Sequence, residues 1–144
     1  MEKYGLIFDM DGVLADTESL IARASIDMFR DLYKVELSAD DFRPFIGTGA
    51  VRYVEGPAET LGIAIDLDRA LEVRLENFKK LLDAGECHAC PGAVELVEAA
   101  ASSGDWKLAI ATSSPRPKAM PTLKAAAIPI EMFSEIITGD MVTH

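Results

Sequence analysis

Two kinds of hydrophobic pattern alternate along the chain: short continuous apolar runs, and longer stretches with helical periodicity. The first run is Tyr4–Phe8, the second is Trp106–Ala111, and a third, shorter one lies within residues 132–140. The first run is apolar on both faces, which is typical of a parallel-sheet strand that is covered on both sides. The pattern therefore predicts three strands, one near the start of the chain and two near its end.

Residues 17–85, between the first two runs, show only helical patterns. Apolar side chains recur at the 3.6-residue period over residues 19–34 and 67–82. Ser38 and Asp66 are placed to cap helix N-termini. We predict helices over about 19–34, 38–43, 50–61 and 67–82.

The change from strand to helix and back to strand indicates an α/β core that carries an α-helical insert. We expect the core to comprise residues 1–16 and 86–144, and the insert to comprise residues 17–85. No apolar run approaches the ~18 residues of a membrane span, and Met1 leads into the first strand without a signal-like segment. The sequence therefore favours the cytosol.

Proline dominates the segment that follows the second strand. Pro115, Pro117 and Pro121 lie close together, and a proline inside a helix costs about 3 kcal/mol. We therefore predict a distorted start and a regular helix only over about 121–127. Ser114 is the predicted N-cap, with Pro115 as the first helical residue.

Polar side chains follow the first two strands at the point where each strand ends. Asp9 and Asp11 come directly after the first strand, and Thr112, Ser113 and Ser114 come directly after the second. Ligands of open α/β sheets bind at this edge. One carboxylate can attack phosphorus and the other can transfer protons, while a hard cation such as Mg²⁺ screens the phosphate charge.

The Asp-x-Asp-Gly sequence has other possible interpretations. Asp and Gly are favoured in ordinary strand-ending turns, and the pair of carboxylates could bind a metal without turnover. An EF-hand loop is excluded, because Val13, Leu14 and Leu20 stand where that loop needs a ligand, a glycine and a glutamate.

The run over residues 6–18, LIFDMDGVLADTE, resembles the first motif of the haloacid dehalogenase-like hydrolases. Within that family it is most similar to the branch of β-phosphoglucomutase and phosphoglycolate phosphatase. The resemblance implies a Rossmann-like parallel-sheet core with a helical cap that closes over the site and selects the substrate. It implies that Asp9 is the nucleophile and a Mg²⁺ ligand. It also implies that Asp11 is the general acid/base and offers its backbone carbonyl to the metal.

The residues after the second strand resemble the second motif of the same family, so Thr112 and Ser113 are expected to bind the substrate phosphate. Gly12 allows a tight turn beside that phosphate. Arg52 and Arg116 are further candidate phosphate ligands, since Arg forks suit phosphate. Lys118 is expected to be exposed.

Composition narrows the choice of partners. The chain has 144 residues, 49% hydrophobic and 26% charged, with a formal net charge of −10. Such a charge, without a basic stripe, disfavours nucleic-acid binding. Cys87 and Cys90 form a Cys-x-x-Cys pair, but the only His outside this segment is His144. A zinc or redox role is therefore disfavoured.

The family resemblance covers only the first two of four motifs. The third motif supplies a lysine and the fourth an acidic pair that completes the metal site, and both would fall after His144. The leading hypothesis is a Mg²⁺-dependent phosphatase for a small phosphorylated metabolite, working through an aspartyl phosphate and impaired in this chain. A fragment of a longer enzyme and a complete but weakened protein both remain open. A sugar-phosphate mutase and a non-catalytic remnant, self-associating through an open sheet edge, are the alternatives.

Overall fold

The computed structural model describes residues 4–142, which form three parallel strands in one sheet and six α-helices. This is the α/β, Rossmann-like architecture expected from the sequence. None of the helices in the described part of the chain has the length and apolarity needed to cross a membrane. The elements, in chain order, are β1 (Tyr4–Phe8), α1 (Glu18–Tyr33), α2 (Ala39–Phe42), α3 (Ala50–Leu61), α4 (Leu67–Asp83), α5 (Ala93–Ser103), β2 (Trp106–Ala111), α6 (Arg116–Ala125) and β3 (Glu135–Ile137).

The sheet has the order β1-β2-β3, with β2 in the centre. Phe8 of β1 pairs with Ile110 of β2, and Ile110 pairs with Ile136 of β3. Within residues 4–142, β1 is therefore an edge strand. Tyr4 and Ile7 are 64% and 69% exposed, so the prediction that β1 is covered on both faces is wrong for these residues.

The described chain separates into two compact units. A helical unit comprises Ser19–Leu81, and a core unit comprises the segments before Ser19 and from Leu82 onward. We propose that these units are the insert and the core expected from the sequence.

The helical unit is held together by an apolar and aromatic cluster. The Phe42 and Tyr53 rings stack with their centroids 5.1 Å apart, and the Phe29 and Phe42 ring centroids lie 6.0 Å apart. Asp66 caps α4 as predicted, because its Oδ1 accepts the Arg69 N–H at 3.1 Å. The buried members of the cluster are Met28, Phe29, Phe42, Tyr53, Val54, Ala58, Ala70 and Val73.

The core unit packs its helices and loops against the sheet. Leu108 and Ile110 of β2 are buried, and Phe8 of β1 meets Phe133 edge-on with centroids 5.8 Å apart. Helix α5 packs against β2. These contacts fix the ends of β1 and β2, from which the candidate site is built.

Helix α6 differs from the prediction, because it begins at Arg116 rather than near residue 121. Pro115 is the N-cap, and Pro117 lies at the second helical position. A backbone N–H there has no partner within the helix, so its absence costs little. Pro121 is accommodated inside the helix. The predicted capping role of Ser114 is also wrong, since Pro115 is the N-cap residue.

Strand β3 is shorter than the pattern within residues 132–140 suggested. Single 3₁₀ turns at Ile130–Met132 and Gly139–Met141 flank it. The second turn brings Gly139 against the loop after β2, where its N–H donates to the Ser114 carbonyl at 3.0 Å. A Cβ atom at Gly139 would lie 2.2 Å from the Ser113 carbonyl oxygen, so only glycine fits here without movement of the backbone.

We expect Gly139→Ala to lower the free energy of unfolding by about 1–3 kcal/mol, because its methyl group meets backbone atoms that cannot rotate away. Gly5→Ala is the matched control, since nothing lies within 4 Å of a Cβ at Gly5. Its effect should stay within about 0.5 kcal/mol. Urea unfolding measures both, and equal stability of the two variants would contradict the close approach.

Candidate active site

The chain turns sharply directly after β1. The Met10 carbonyl accepts N–H groups from Val13, Leu14 and Ala15 at 3.3, 3.0 and 3.0 Å. Gly12 has φ +73°, in the left-handed region that favours glycine. Met10 is fully buried, which anchors the turn between Asp9 and Asp11.

Asp11 is the centre of a hydrogen-bonded group that we call the Asp11 cluster: Asp11, Thr17, Ser114 and Lys118. The Thr17 hydroxyl donates to Asp11 Oδ1 at 2.7 Å, and the Ser114 hydroxyl donates to Oδ2 at 2.8 Å. Lys118 Nζ contacts Oδ1 at 2.8 Å and Oδ2 at 3.0 Å, and it also reaches Ser114 Oγ at 2.8 Å. Residues far apart in the sequence therefore converge on one carboxylate.

The Asp11 cluster is largely shielded from solvent, with the side chains of Lys118 and Asp11 15% and 26% exposed. Burial alone would raise the pKa of Asp11. The charge of Lys118 and the hydrogen bonds of the cluster outweigh burial, so the pKa of Asp11 lies below its ordinary value. Asp11 is therefore ionised in the free chain at neutral pH.

The end of β2 supplies the hydroxyl side of the site. The Thr112 N–H donates to Ile137 of β3 at 3.0 Å, and Thr112 Oγ1 accepts the Ser114 N–H at 3.1 Å. Thr112 and Ser114 are buried, whereas Ser113 is exposed. The loop thus directs the Ser114 hydroxyl to Asp11, while the Thr112 hydroxyl contacts the Ser114 N–H.

The position of Lys118 is set by the start of α6. Asp140 Oδ1 accepts the Arg116 N–H at 2.9 Å and the Thr138 hydroxyl at 2.6 Å, which ties the first turn of α6 to the end of β3. The pKa of Asp140 lies below its ordinary value, mainly because of the hydrogen bond from the Thr138 hydroxyl and to a smaller extent because of the Arg116 N–H. A carboxylate at a helix N-terminus is favourable. Lys118 follows within the same turn.

Asp9 is exposed, and its Oδ1 accepts the N–H of Met10 at 2.7 Å. Arg116 is also exposed, and its backbone rather than its guanidinium makes the contact to Asp140. Arg52 belongs to the helical unit, where it pairs with Glu59 at 2.7 Å and lies over the Phe45 ring at 5.5 Å. Phosphate contacts by Arg52 and Arg116 stay predictions.

Sequence reasoning missed three members of the Asp11 cluster. Lys118 was expected to be exposed and is instead mostly buried against Asp11; Ser114 was assigned to a helix cap, and Thr17 had no role. One signal was present, because Lys118 lies four residues after Ser114, the spacing of neighbours on one helix face. The late predicted start of α6 hid it.

The donor chemistry here suits Mg²⁺, which takes oxygen ligands and is often held by one or two carboxylates with a substrate phosphate. Asp9 offers an exposed carboxylate. In the part of the chain that the structure describes, no group of three or more His, Cys, Asp or Glu side chains is arranged to hold a metal. The pKa of both Cys87 and Cys90 is raised, mainly by burial and to a smaller extent by the negative charge of Asp16. A raised pKa disfavours reactive thiolates.

The chain is similar to a plant protein and to bacterial proteins along nearly all of its length. It is 39% identical over 140 residues to Protein SUPPRESSOR OF QUENCHING 1, chloroplastic, of Arabidopsis thaliana, covering 94% of this chain and 13% of that protein. It is 28% identical over 139 residues to Phosphoglycolate phosphatase of Nitrosospira multiformis, covering 94% of this chain and 60% of that protein. The chain thus spans less than two thirds of the length of these relatives.

The fold is also similar to a solved structure, CbbY from Rhodobacter sphaeroides in complex with phosphate. The TM-score is 0.80 with 26% sequence identity, over 99% of this chain and 66% of that chain. The similarity therefore extends over both units described above.

The lowered pKa of Asp11 predicts a pH-dependent stability. A carboxyl group whose pKa is lower in the folded chain than in the unfolded chain stabilises the fold at any pH above its ordinary pKa, about 3.9. This stabilisation is lost as the pH falls through the lowered pKa of the folded chain. The difference in free energy of unfolding between wild type and Asp11→Asn should therefore shrink from pH 7 towards pH 3. Urea unfolding at both pH values tests this, and a pH-independent difference would contradict it.

The family assignment rests on the whole chain rather than on one motif. A family model described as haloacid dehalogenase-like hydrolase matches residues 6–144. This range includes both strand ends that carry the candidate residues, and the phosphoglycolate phosphatase relative belongs to the branch that residues 6–18 resemble. The chain belongs to the haloacid dehalogenase-like hydrolase family.

Proposed function

We propose that this chain is the phosphatase part of a Mg²⁺-dependent phosphomonoester hydrolase acting on a small phosphorylated metabolite. The observation that carries the proposal is the carboxylate pair at the end of β1, with Asp11 hydrogen-bonded to Ser114 from the end of β2. Family membership and a phosphatase among the relatives support it.

In the proposed reaction, an Asp9 carboxylate oxygen attacks phosphorus. Asp11 is ionised in the free chain, so it must first take up a proton from solvent. The P–O bond to the leaving alcohol then breaks as Asp11 gives that proton to the leaving oxygen. Water then attacks phosphorus of the aspartyl phosphate while Asp11 takes a proton from the water. Inorganic phosphate leaves, and Asp9 is regenerated.

The phosphoryl oxygens would be bound by Thr112, Ser113 and the tight turn at Gly12. Thr112 and Ser113 each have a hydroxyl proton to donate to a phosphoryl oxygen. Mg²⁺ would be held by the Asp9 carboxylate and the Asp11 main-chain carbonyl. When bound, it supplies positive charge that offsets the negative charge of phosphate and carboxylates.

The substrate class rests on the relatives, one a phosphoglycolate phosphatase and one a protein solved with phosphate. We propose a cytosolic enzyme, although the plant relative is named chloroplastic. We also propose that this chain alone turns over weakly. Residues 1–144 resemble only the first two family motifs, and the third and fourth motifs supply a lysine and an acidic pair. A sugar-phosphate mutase shares the same phosphoaspartate chemistry, and product analysis for isomerised sugar phosphate separates the two.

Asp9→Asn should abolish Mg²⁺-dependent release of phosphate from a generic aryl phosphate, since an amide cannot attack phosphorus. The assay uses this chain and, in parallel, the chain extended to the length of its relatives. Glu131→Gln, an exposed carboxylate in a 3₁₀ turn, is the matched control and should retain the rate. Equal turnover of wild type and Asp9→Asn would contradict the proposed nucleophile, and a rate in this chain equal to that of the extended chain would contradict the proposed impairment.

We infer a second candidate role, self-association, from the exposed apolar edge of β1. Within residues 4–142, β1 pairs on one side only, and Ile7 is 69% exposed. An open strand edge can pair with another chain. A non-catalytic remnant would self-associate in this way without binding Mg²⁺.

Ile7→Lys should shift such an oligomer to monomer, because an edge lysine opposes strand pairing. Leu96→Lys on α5 is the control, as it changes an equally apolar, exposed residue outside the sheet. Light scattering over a concentration series, with and without Mg²⁺, measures the mass. A monomer at every concentration would rule out self-association.

A further inference from the structure

We propose that Lys118 is a phosphate-binding residue of this site, which pairs with Asp11 in the free chain and transfers its hydrogen bonds to the phosphoryl group when that group binds. Neither the sequence motifs nor the relatives assign this role to Lys118. The proposal rests on the proposed function, because it names a residue that would contact the same substrate phosphate.

Asp11 has no spare acceptor sites in the free chain. A carboxylate offers about four lone-pair sites. Oδ1 accepts from Thr17 and Lys118, and Oδ2 accepts from Ser114 and Lys118. Asp11 must therefore release a donor before it can contact a leaving-group oxygen or a water molecule. Lys118 occupies both oxygens, so its departure frees one site on each.

Lys118 lies close enough to Asp11 to reach a phosphoryl group bound beside that carboxylate. Lys118 Nζ lies 2.8–3.0 Å from the Asp11 oxygens. The proton that Asp11 transfers goes to an oxygen bonded to phosphorus, which must lie within roughly 3 Å of Asp11. A phosphoryl group in that position is therefore within about two hydrogen-bond lengths of Lys118, a distance that a flexible lysine stem can cross.

The positive charge of Lys118 suits it to bind an anion at this site. The site brings an anion towards Asp9 and Asp11 in a chain of net charge −10. Lys118 is the cation that contacts Asp11, while the Arg116 guanidinium is exposed. A lysine ammonium is a point charge suited to phosphate. The Ser114 hydroxyl, which Lys118 also contacts at 2.8 Å, can remain on Asp11 Oδ2 and hold that carboxylate in place.

The test is equilibrium binding of inorganic phosphate, followed by ³¹P NMR at constant ionic strength, with and without Mg²⁺. Lys118→Met should weaken phosphate binding about 10- to 100-fold, the range for loss of a charge-assisted hydrogen bond. Lys124→Met is the matched control, since Lys124 is an exposed lysine on the same helix and its loss changes net charge equally. It should bind within about twofold of wild type.

Lys118→Arg keeps the cation and should bind phosphate within about fivefold of wild type, even if Lys118→Met loses its fold. Phosphate binding by Lys118→Met at the wild-type level would overturn the proposal, as would absence of phosphate binding by the wild-type chain. Hydrolysis is measured in a separate assay. If phosphate binding depends on Lys118 but turnover is unaffected by Asp9→Asn, the proposed function is contradicted and the Lys118 phosphate site is still supported.

Discussion

The ion pair between Lys118 and Asp11 is the interaction on which the arrangement of this site depends. It joins the turn after β1 to the first turn of α6, which are separated in sequence by the helical unit, α5 and β2. A partly buried carboxylate is costly unless it is paired and hydrogen-bonded. The Thr17 and Ser114 hydroxyls and the Lys118 ammonium meet that requirement together, so the loss of any one leaves the others around an underpaired charge.

The rest of the core unit holds these donors in place. The parallel pairing of β1, β2 and β3 brings their carboxyl ends to one edge, and the loop after β2 carries Thr112 and Ser114 there. Gly139 allows the end of β3 to lie against that loop, and Asp140 fixes the start of α6. Each contact is made by a small or polar residue at the end of an element, where geometry is decided by a few backbone groups.

The sequence predicted what is encoded locally. Apolar runs placed β1 and β2, periodicity placed the helices of the helical unit, and the rule for strand ends placed Asp9, Asp11 and Thr112 on one edge of the sheet. It did not predict the contacts of Ser114 or Lys118 with Asp11, whose partners are 103 and 107 residues away. A local pattern cannot contain such a pairing. The prolines after β2 added an error, because Pro117 is tolerated in a first helical turn and therefore does not delay α6. The exposure of Ile7 was missed for a related reason: an apolar run does not reveal whether another element covers it.

A double-mutant cycle on the free energy of unfolding measures how strongly Asp11 and Lys118 interact in the folded chain. Asp11→Asn, Lys118→Met and the variant with both changes would be unfolded by urea at pH 7. If the ion pair holds the site together, the losses will be non-additive, with a coupling energy of at least about 1 kcal/mol. Losses that add to within about 0.3 kcal/mol would mean that Asp11 and Lys118 do not interact in the folded chain, and would contradict this account.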